Sequence, residues 1–166
     1  MALATHNSFK CSLFKGERMK IYIGSDHNGY RLKEALIARL KQAGYDVEDK
    51  GDDNPDPKDD FPVFAGRVAN EVLASKDRDV KGILICGSGQ GMCMAANRLN
   101  GIRAALLYDH ESARSSRNDD DANIACLPAI SLGTRQAADI TETFLRTPFA
   151  GAARYKRRIA ELDKMQ

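Results

Sequence analysis

The sequence has no apolar stretch approaching the ~20 residues that a membrane-spanning helix needs. It has no block of Lys and Arg set apart from acidic residues, and no C-x-x-C pair. The first absence argues against a membrane partner. The second removes the electrostatic footprint of a nucleic-acid binder, because 25 basic and 23 acidic side chains are interspersed and the net charge is only +2. The third, with no histidine clustered near Cys11, Cys86, Cys93 or Cys126, argues against a zinc site. Nothing suggests secretion, so these cysteines are expected as reduced thiols of a cytoplasmic protein. Internal repeats, low-complexity tracts and linkers are also missing. What remains is a chain of 166 residues, 43% hydrophobic and 29% charged, which suits one domain with a real core.

Residues 1–18 show no clear periodicity and are expected to be an extension outside that domain, disordered or not translated natively. Lys15-Gly16-Glu17-Arg18 before Met19 reads as a purine-rich ribosome-binding stretch carried into protein, and a targeting peptide is the alternative. From residue 19 to 166, strand and helix patterns alternate. Lys20–Gly24 is short, apolar and β-branched. Tyr30–Ala43 places Leu32, Leu36, Ile37 and Leu40 on one helical face, and Gly44 ends it. Tyr45–Asp49 reads as a second strand, and a polar loop with two prolines leads to a helix opened by Phe61-Pro62. Gly82–Cys86 is a continuous apolar run of the buried parallel kind. A glycine-rich turn precedes a helix over Met92–Leu99, and Ile102–Tyr108 is another buried-type strand. A short helix over His110–Arg117, a fifth strand over Ile124–Leu127 and helices over Thr134–Leu145 and Gly151–Asp163 complete the pattern. This alternation predicts an α/β, Rossmann-like three-layer sandwich: a five-stranded parallel sheet plus an extra C-terminal helix.

Ligands of such sheets sit at the C-terminal strand ends. The segments Ser25–Gly29, Cys86–Gly91, Tyr108–His110 and Asn118–Asn123 are polar or glycine-rich and are expected to converge on one rim. Cys86-Gly87-Ser88-Gly89-Gln90-Gly91 is the most informative. Its glycines allow close backbone approach, and its free N–H groups at a helix start favour an anion or a developing oxyanion. The same field is expected to lower the Cys86 pKa and suit the thiol to act as a base. The bland alternative is a buried cysteine before a tight turn. The loop is not a P-loop, since no Gly-Lys-Ser/Thr follows, and it lacks the G-x-G-x-x-G rhythm of a dinucleotide fingerprint. A cysteine phosphatase loop would place an arginine where Met92 stands. A redox dithiol is disfavoured because Cys93 lies seven residues on, in a helix, where a core role is expected.

Gly24-Ser25-Asp26-His27, Asp60-Phe61-Pro62, Ile85–Gly91 with Ala95-Ala96-Asn97, and Gly101-Ile102-Arg103-Ala104 together resemble the type B ribose-5-phosphate isomerases. That family includes galactose-6-phosphate isomerase subunits and allose-6-phosphate isomerases, and the resemblance spans Met19 to Met165. It implies a homodimer or homotetramer with active sites at a subunit interface, no metal and no cofactor. It implies interconversion of aldose and ketose phosphates through a cis-enediolate, with a cysteine at the Cys86 position or a glutamate at the Met92 position moving the proton. Methionine cannot do so, which leaves Cys86. Ser88 matches a hydroxyl that helps move the oxygen-bound proton, and the N–H groups of Gly87, Gly89, Gln90 and Gly91 match an oxyanion hole. Asp26 and His27 match residues contacting the sugar and phosphate. Arg154 and Arg158, four apart on one helical face, match a phosphate clamp, with Arg135 a third phosphate contact. Taken without the resemblance, these arginines read as a solvated helix face.

The sequence departs from the family where a ring-opening histidine is expected, since Asp119 stands there, followed by Asp120 and Asp121. Imidazole gives and takes a proton near neutrality, whereas an ordinary carboxyl near ~3.9 is only a base. Three readings stay open: Asp119 opens the ring as a base, His110 substitutes, or the substrate is another sugar phosphate. Asn123, at the end of this segment, is counted with the substrate-binding candidates. Phe61 replaces a family tyrosine, and an insertion lies near Leu127–Leu132. The alternative to an active isomerase is a non-catalytic sugar-phosphate-binding subunit of a hetero-oligomer.

Overall fold

The computed structural model describes residues 18–77 and 79–165, so the expected extension lies, apart from Arg18, outside the described residues. Eleven elements follow in order: β1 (Lys20–Ser25), α1 (Tyr30–Gln42), β2 (Asp46–Asp49), α2 (Phe61–Ala74), β3 (Lys81–Cys86), α3 (Gln90–Ala96), β4 (Ala104–Leu106), α4 (His110–Asn118), β5 (Ile124–Pro128), α5 (Thr134–Arg146) and α6 (Ala153–Leu162). All strand pairs are parallel, in the order β2-β1-β3-β5-β4. The expected three-layer architecture with a C-terminal helix is what forms.

Strand alternation sorts the apolar side chains into two cores. Ile21, Ile23, Ile83, Ile85, Ala125 and Leu127 face one side, where Leu32, Leu36 and Leu40 of α1, Ala113 of α4 and Phe144 of α5 cover them. Leu84, Cys86, Ile124 and Cys126 face the other, under Phe64 and Val68 of α2 and Met92 and Ala96 of α3. Because α1 and α2 cross on opposite faces, the chain leaves β1 in one direction for β2 and reaches β3 in the other. The gap between the C-terminal ends of β1 and β3 is therefore the topological switch point, the crevice where such sheets take ligands.

Two helix ends show why the chain turns where it does. Gly44 adopts φ +95° and closes α1, with Tyr45 N–H donating to Leu40 and Gly44 N–H to Lys41. At the end of α3 the hydrogen bonds tighten to i→i+3 (Arg98 to Ala95, Leu99 to Ala96). That tightening ends the helix at Ala96 rather than at the expected Leu99. The Asn97 side chain then takes both backbone groups of Ala104, accepting from its N–H at 2.8 Å and donating to its carbonyl at 2.9 Å. Expected as a buried strand over Ile102–Tyr108, β4 is instead three half-buried residues at the sheet edge. The Asn97 amide occupies the hydrogen-bonding positions that a further strand would use.

The start of α1 is fixed by a contact that admits no side chain. A Cβ at Gly29 would lie 2.4 Å from the Ile85 carbonyl oxygen, a backbone atom held in the centre of the sheet. Gly29→Ala is therefore expected to push α1 away from β3 and destabilise the fold by about 1–3 kcal/mol or more. A urea-denaturation midpoint equal to that of the natural sequence would contradict this.

Candidate active site

The loop after β3 is built around the Cys86 thiol. Gly89, the residue before α3, has φ +75°, a left-handed conformation that glycine adopts without strain. It turns its N–H onto the Cys86 sulfur at 3.1 Å. The N–H groups of Met92 and Ser88 also favour the thiolate. Burial nevertheless outweighs them, and the nearby Asp26 carboxylate adds to it, so the thiol is pushed above its ordinary range. The expected lowering is thus corrected: a thiol with 5% exposure loses more solvation than three N–H groups return. The other two glycines serve close packing. A Cβ at Gly91 would lie 2.9 Å from the Phe61 ring, and one at Gly87 would lie 3.1 Å from Ile130. Gln90 N–H contacts Ser88 Oγ at 3.4 Å, and both residues are exposed.

Asp26 and His27, at the end of β1, stand beside this loop. Asp26 N–H donates to the Ile85 carbonyl at 3.2 Å. Its carboxylate accepts from Gly29 N–H at 3.0 Å, and burial pushes its pKa upward. His27 is held by Asp59, whose two oxygens meet the His27 backbone N–H at 2.7 Å and ring Nδ1 at 2.6 Å. This pairing raises the imidazole pKa. Asn28 donates to His27 Nε2 at 2.9 Å, and its side chain lies against Gly87. Sequence reasoning missed Asp59, which sits in an acidic loop 32 residues away with no periodic signal.

The segment before β5 does not join this rim. In a parallel sheet, the residues that enter a strand lie at the opposite end from those that leave one. Accordingly, the Asn123 carbonyl accepts from Gly82 at the start of β3, and its side chain bonds the Arg103 N–H and the Gly101 carbonyl before β4. Asp119 is held as a carboxylate by Asn118, Tyr155 and the charge of Arg154. Arg158 lies near Asp120, whose pKa is raised by burial. The expected convergence of the Asn118–Asn123 segment on that rim is corrected: Asp119 and Asn123 lie at the far end of the sheet from Cys86, with Arg154 and Arg158 beside Asp119 and Asp120. Arg135, in the first turn of α5, returns to the Cys86 end. Its side chain is 92% exposed, with a single loose approach to Asp139 at 3.9 Å. His110 opens α4, after β4 and so at the Cys86 end of the sheet, and its ring bonds Thr143 on α5 at 2.7 Å.

Cys93 packs at the edge of the second core, as expected, with its thiol donating to the Ala104 carbonyl. Among the described residues no group of three or more His, Cys, Asp or Glu side chains is placed to hold a metal ion. No helix there is long and apolar enough to cross a membrane.

A doubly wound parallel sheet with a buried thiol, an acid and a histidine at its switch point defines the class, and the family follows from comparison. Residues 21–162 match the Ribose/Galactose Isomerase family, and the chain belongs to it. It is 40% identical over 146 residues to the probable ribose-5-phosphate isomerase B of Mycoplasma genitalium, covering 88% of this chain and 95% of that one. The ribose 5-phosphate isomerase structure from Thermotoga maritima superposes with a TM-score of 0.84 at 41% identity, over 89% of this chain and 99% of its own. The Mycoplasma genitalium isomerase with bound ribulose-5-phosphate gives the same TM-score at 38% identity, over 89% of this chain and 95% of its own.

Proposed function

We propose that this chain interconverts the aldose and ketose forms of a sugar phosphate, with ribose 5-phosphate and ribulose 5-phosphate as the first pair to test. The relative that binds ribulose-5-phosphate supports the substrate class. The observation that carries the chemistry is the placement of Cys86. It is the titratable side chain of the loop, seated at the switch point with three N–H groups on its sulfur. Met92, at the other position where the family resemblance puts a base, is fully buried in the core.

In this reading the Cys86 thiolate removes the proton from C2 of the open-chain aldose, and the electron pair moves to the carbonyl oxygen. The resulting cis-enediolate faces loop N–H groups. The exposed Ser88 hydroxyl passes the oxygen-bound proton between O1 and O2, and the thiol returns its proton to C1. No cofactor is required. The raised thiol sets the pH dependence. Only the thiolate is a base, so the active fraction appears at higher pH than for an ordinary cysteine. kcat/KM is expected to climb roughly tenfold per pH unit from neutrality until the thiol ionises. A pH-rate profile already flat at pH 7 would contradict it.

The site is completed by a second copy of the chain. Asp119, Asn123, Arg154 and Arg158 cannot reach the Cys86 rim of their own sheet, whereas a symmetric dimer would bring them to the partner's. Exposed Phe61, Met94, Tyr108 and Ile130 border that rim and suit such a contact. The protein acts in the cytoplasm, consistent with free thiols at Cys86, Cys93 and Cys126.

The direct test follows deuterium uptake from D2O, by proton NMR, into ribose 5-phosphate, allose 6-phosphate and galactose 6-phosphate. Exchange at the carbon next to the carbonyl supports the reading, and the fastest substrate identifies the sugar. Binding without exchange on all three would favour the non-catalytic subunit.

A further inference from the structure

Resting on the sugar-phosphate reading, we propose that Asp59 is a positioning residue for substrate. Its carboxylate clamps His27 at both the backbone N–H and ring Nδ1, leaving Nε2 as the nitrogen that donates to an anionic oxygen of the sugar phosphate.

Three observations support this. The clamp is bidentate and short, at 2.7 and 2.6 Å, and the Asp59 side chain is only 5% exposed while that of His27 is 28% exposed. A carboxylate withdrawn from water is thus committed to one imidazole whose other edge is partly exposed and meets the neighbouring Asn28 amide. Secondly, the direction is set. With Nδ1 occupied by Asp59, the ring's other nitrogen points to Asn28 at 2.9 Å, and Asn28 packs on Gly87 of the thiol loop. Nε2 therefore lies on the Cys86 side of the crevice. Thirdly, the charges around His27 favour its cation. Asp59, Asp26 and Asp56 all raise its pKa, with the hydrogen bond to Asp59 the largest cause. Once protonated at both nitrogens, the ring needs an acceptor at Nε2. The Asn28 amide group supplies one by turning over in the free protein, and a phosphate or sugar oxyanion supplies a stronger one.

The sign of the pH effect follows. Removing the Asp59 charge returns His27 toward its ordinary value near 6.5, so the cation is lost at a lower pH than in the natural protein. At pH 7.5 the KM for ribose 5-phosphate is expected to rise about 3–10-fold in Asp59→Asn, with kcat nearly unchanged. Below about pH 6, where imidazole is protonated without help, the two proteins should converge. The substrate phosphate titrates in the same range but alike for both.

The experiment pairs a His27 imidazole NMR titration with KM measured from pH 5.5 to 8.5 on the natural protein, Asp59→Asn and Asp59→Glu. The proposal expects a lower His27 titration midpoint in Asp59→Asn, a KM defect confined to the higher pH values, and recovery of both in Asp59→Glu. An unchanged midpoint in Asp59→Asn would overturn it. So would a KM defect equal at every pH, the mark of a purely structural loop anchor, or a glutamate that restores the midpoint without restoring KM. Should the natural protein turn over none of the sugars, the dissociation constant for ribose 5-phosphate by calorimetry replaces KM. Failure of the isomerase reading and failure of the Asp59 role then remain distinguishable.

Discussion

Replacing Cys86 with alanine is expected to lower isomerisation of the best sugar phosphate by about 10²–10⁴-fold, the range for loss of a positioned general base. Deuterium incorporation should fall with it, because the same proton transfer produces both. The loop itself offers no replacement base: Ser88 is an alcohol and Met92 is buried. The fold should survive: the alanine keeps Cβ against the core and loses one sulfur that accepts from Gly89. That costs about 1 kcal/mol by the usual effect of trimming one buried atom. Cys93→Ala serves as the control, since that thiol bonds the Ala104 carbonyl at the core edge. It should keep normal turnover. Undiminished exchange in Cys86→Ala would remove the cysteine from the chemistry and return the loop to its bland reading, a buried thiol before a tight turn.

The parts of this molecule that sequence discloses are those governed by local rules. The apolar run Gly82–Cys86 reads as a buried parallel strand, and it occupies the middle of the sheet, fully buried along its length. Gly44 reads as a helix stop and takes the left-handed conformation that makes it one. By contrast, β4 looked like β3 in composition but lies at an edge. Nothing in Ile102–Tyr108 reveals that the side-chain amide of Asn97, seven residues before Ala104, takes both backbone groups of that residue. Asp59 was invisible for a similar reason, being one of several acids in the loop from 52 to 60 and distinguished only by meeting His27. The position of Asp119 and Asn123 was legible and was misread. Both precede a strand of a parallel sheet, which places them at the end opposite Cys86 whatever the details of packing. Their resemblance to active-site residues and their location in one chain conflict, and the dimer proposed above is the arrangement that would resolve it.

That resolution makes a sharp prediction for mixed assemblies. Arg154→Ala is expected to weaken use of the sugar phosphate strongly, because a guanidinium on a phosphate forms a charge-assisted hydrogen bond that alanine cannot replace. Taken alone, such a loss says nothing about which chain supplies the arginine. Mixing does. In a symmetric dimer with Cys86 from one copy and Arg154 from the other, a hybrid of Cys86→Ala with Arg154→Ala has one site carrying both defects and one carrying neither. Random assembly from equal amounts makes half the dimers hybrids, so about a quarter of all sites should be intact. Two proteins with little activity of their own would then recover about a quarter of the natural rate after refolding together, and none after simple mixing without subunit exchange. The geometry favours this outcome. Arg154 stacks on Tyr155, with its guanidinium 4.6 Å from the ring, and faces Asp119 at the end of the sheet where strands begin. The thiol lies where strands end. If the co-refolded mixture shows only the sum of the two variants' residual activities, no site is shared between chains in this way, whereas full activity in Arg154→Ala by itself would return that arginine to the solvated face that its composition first suggested.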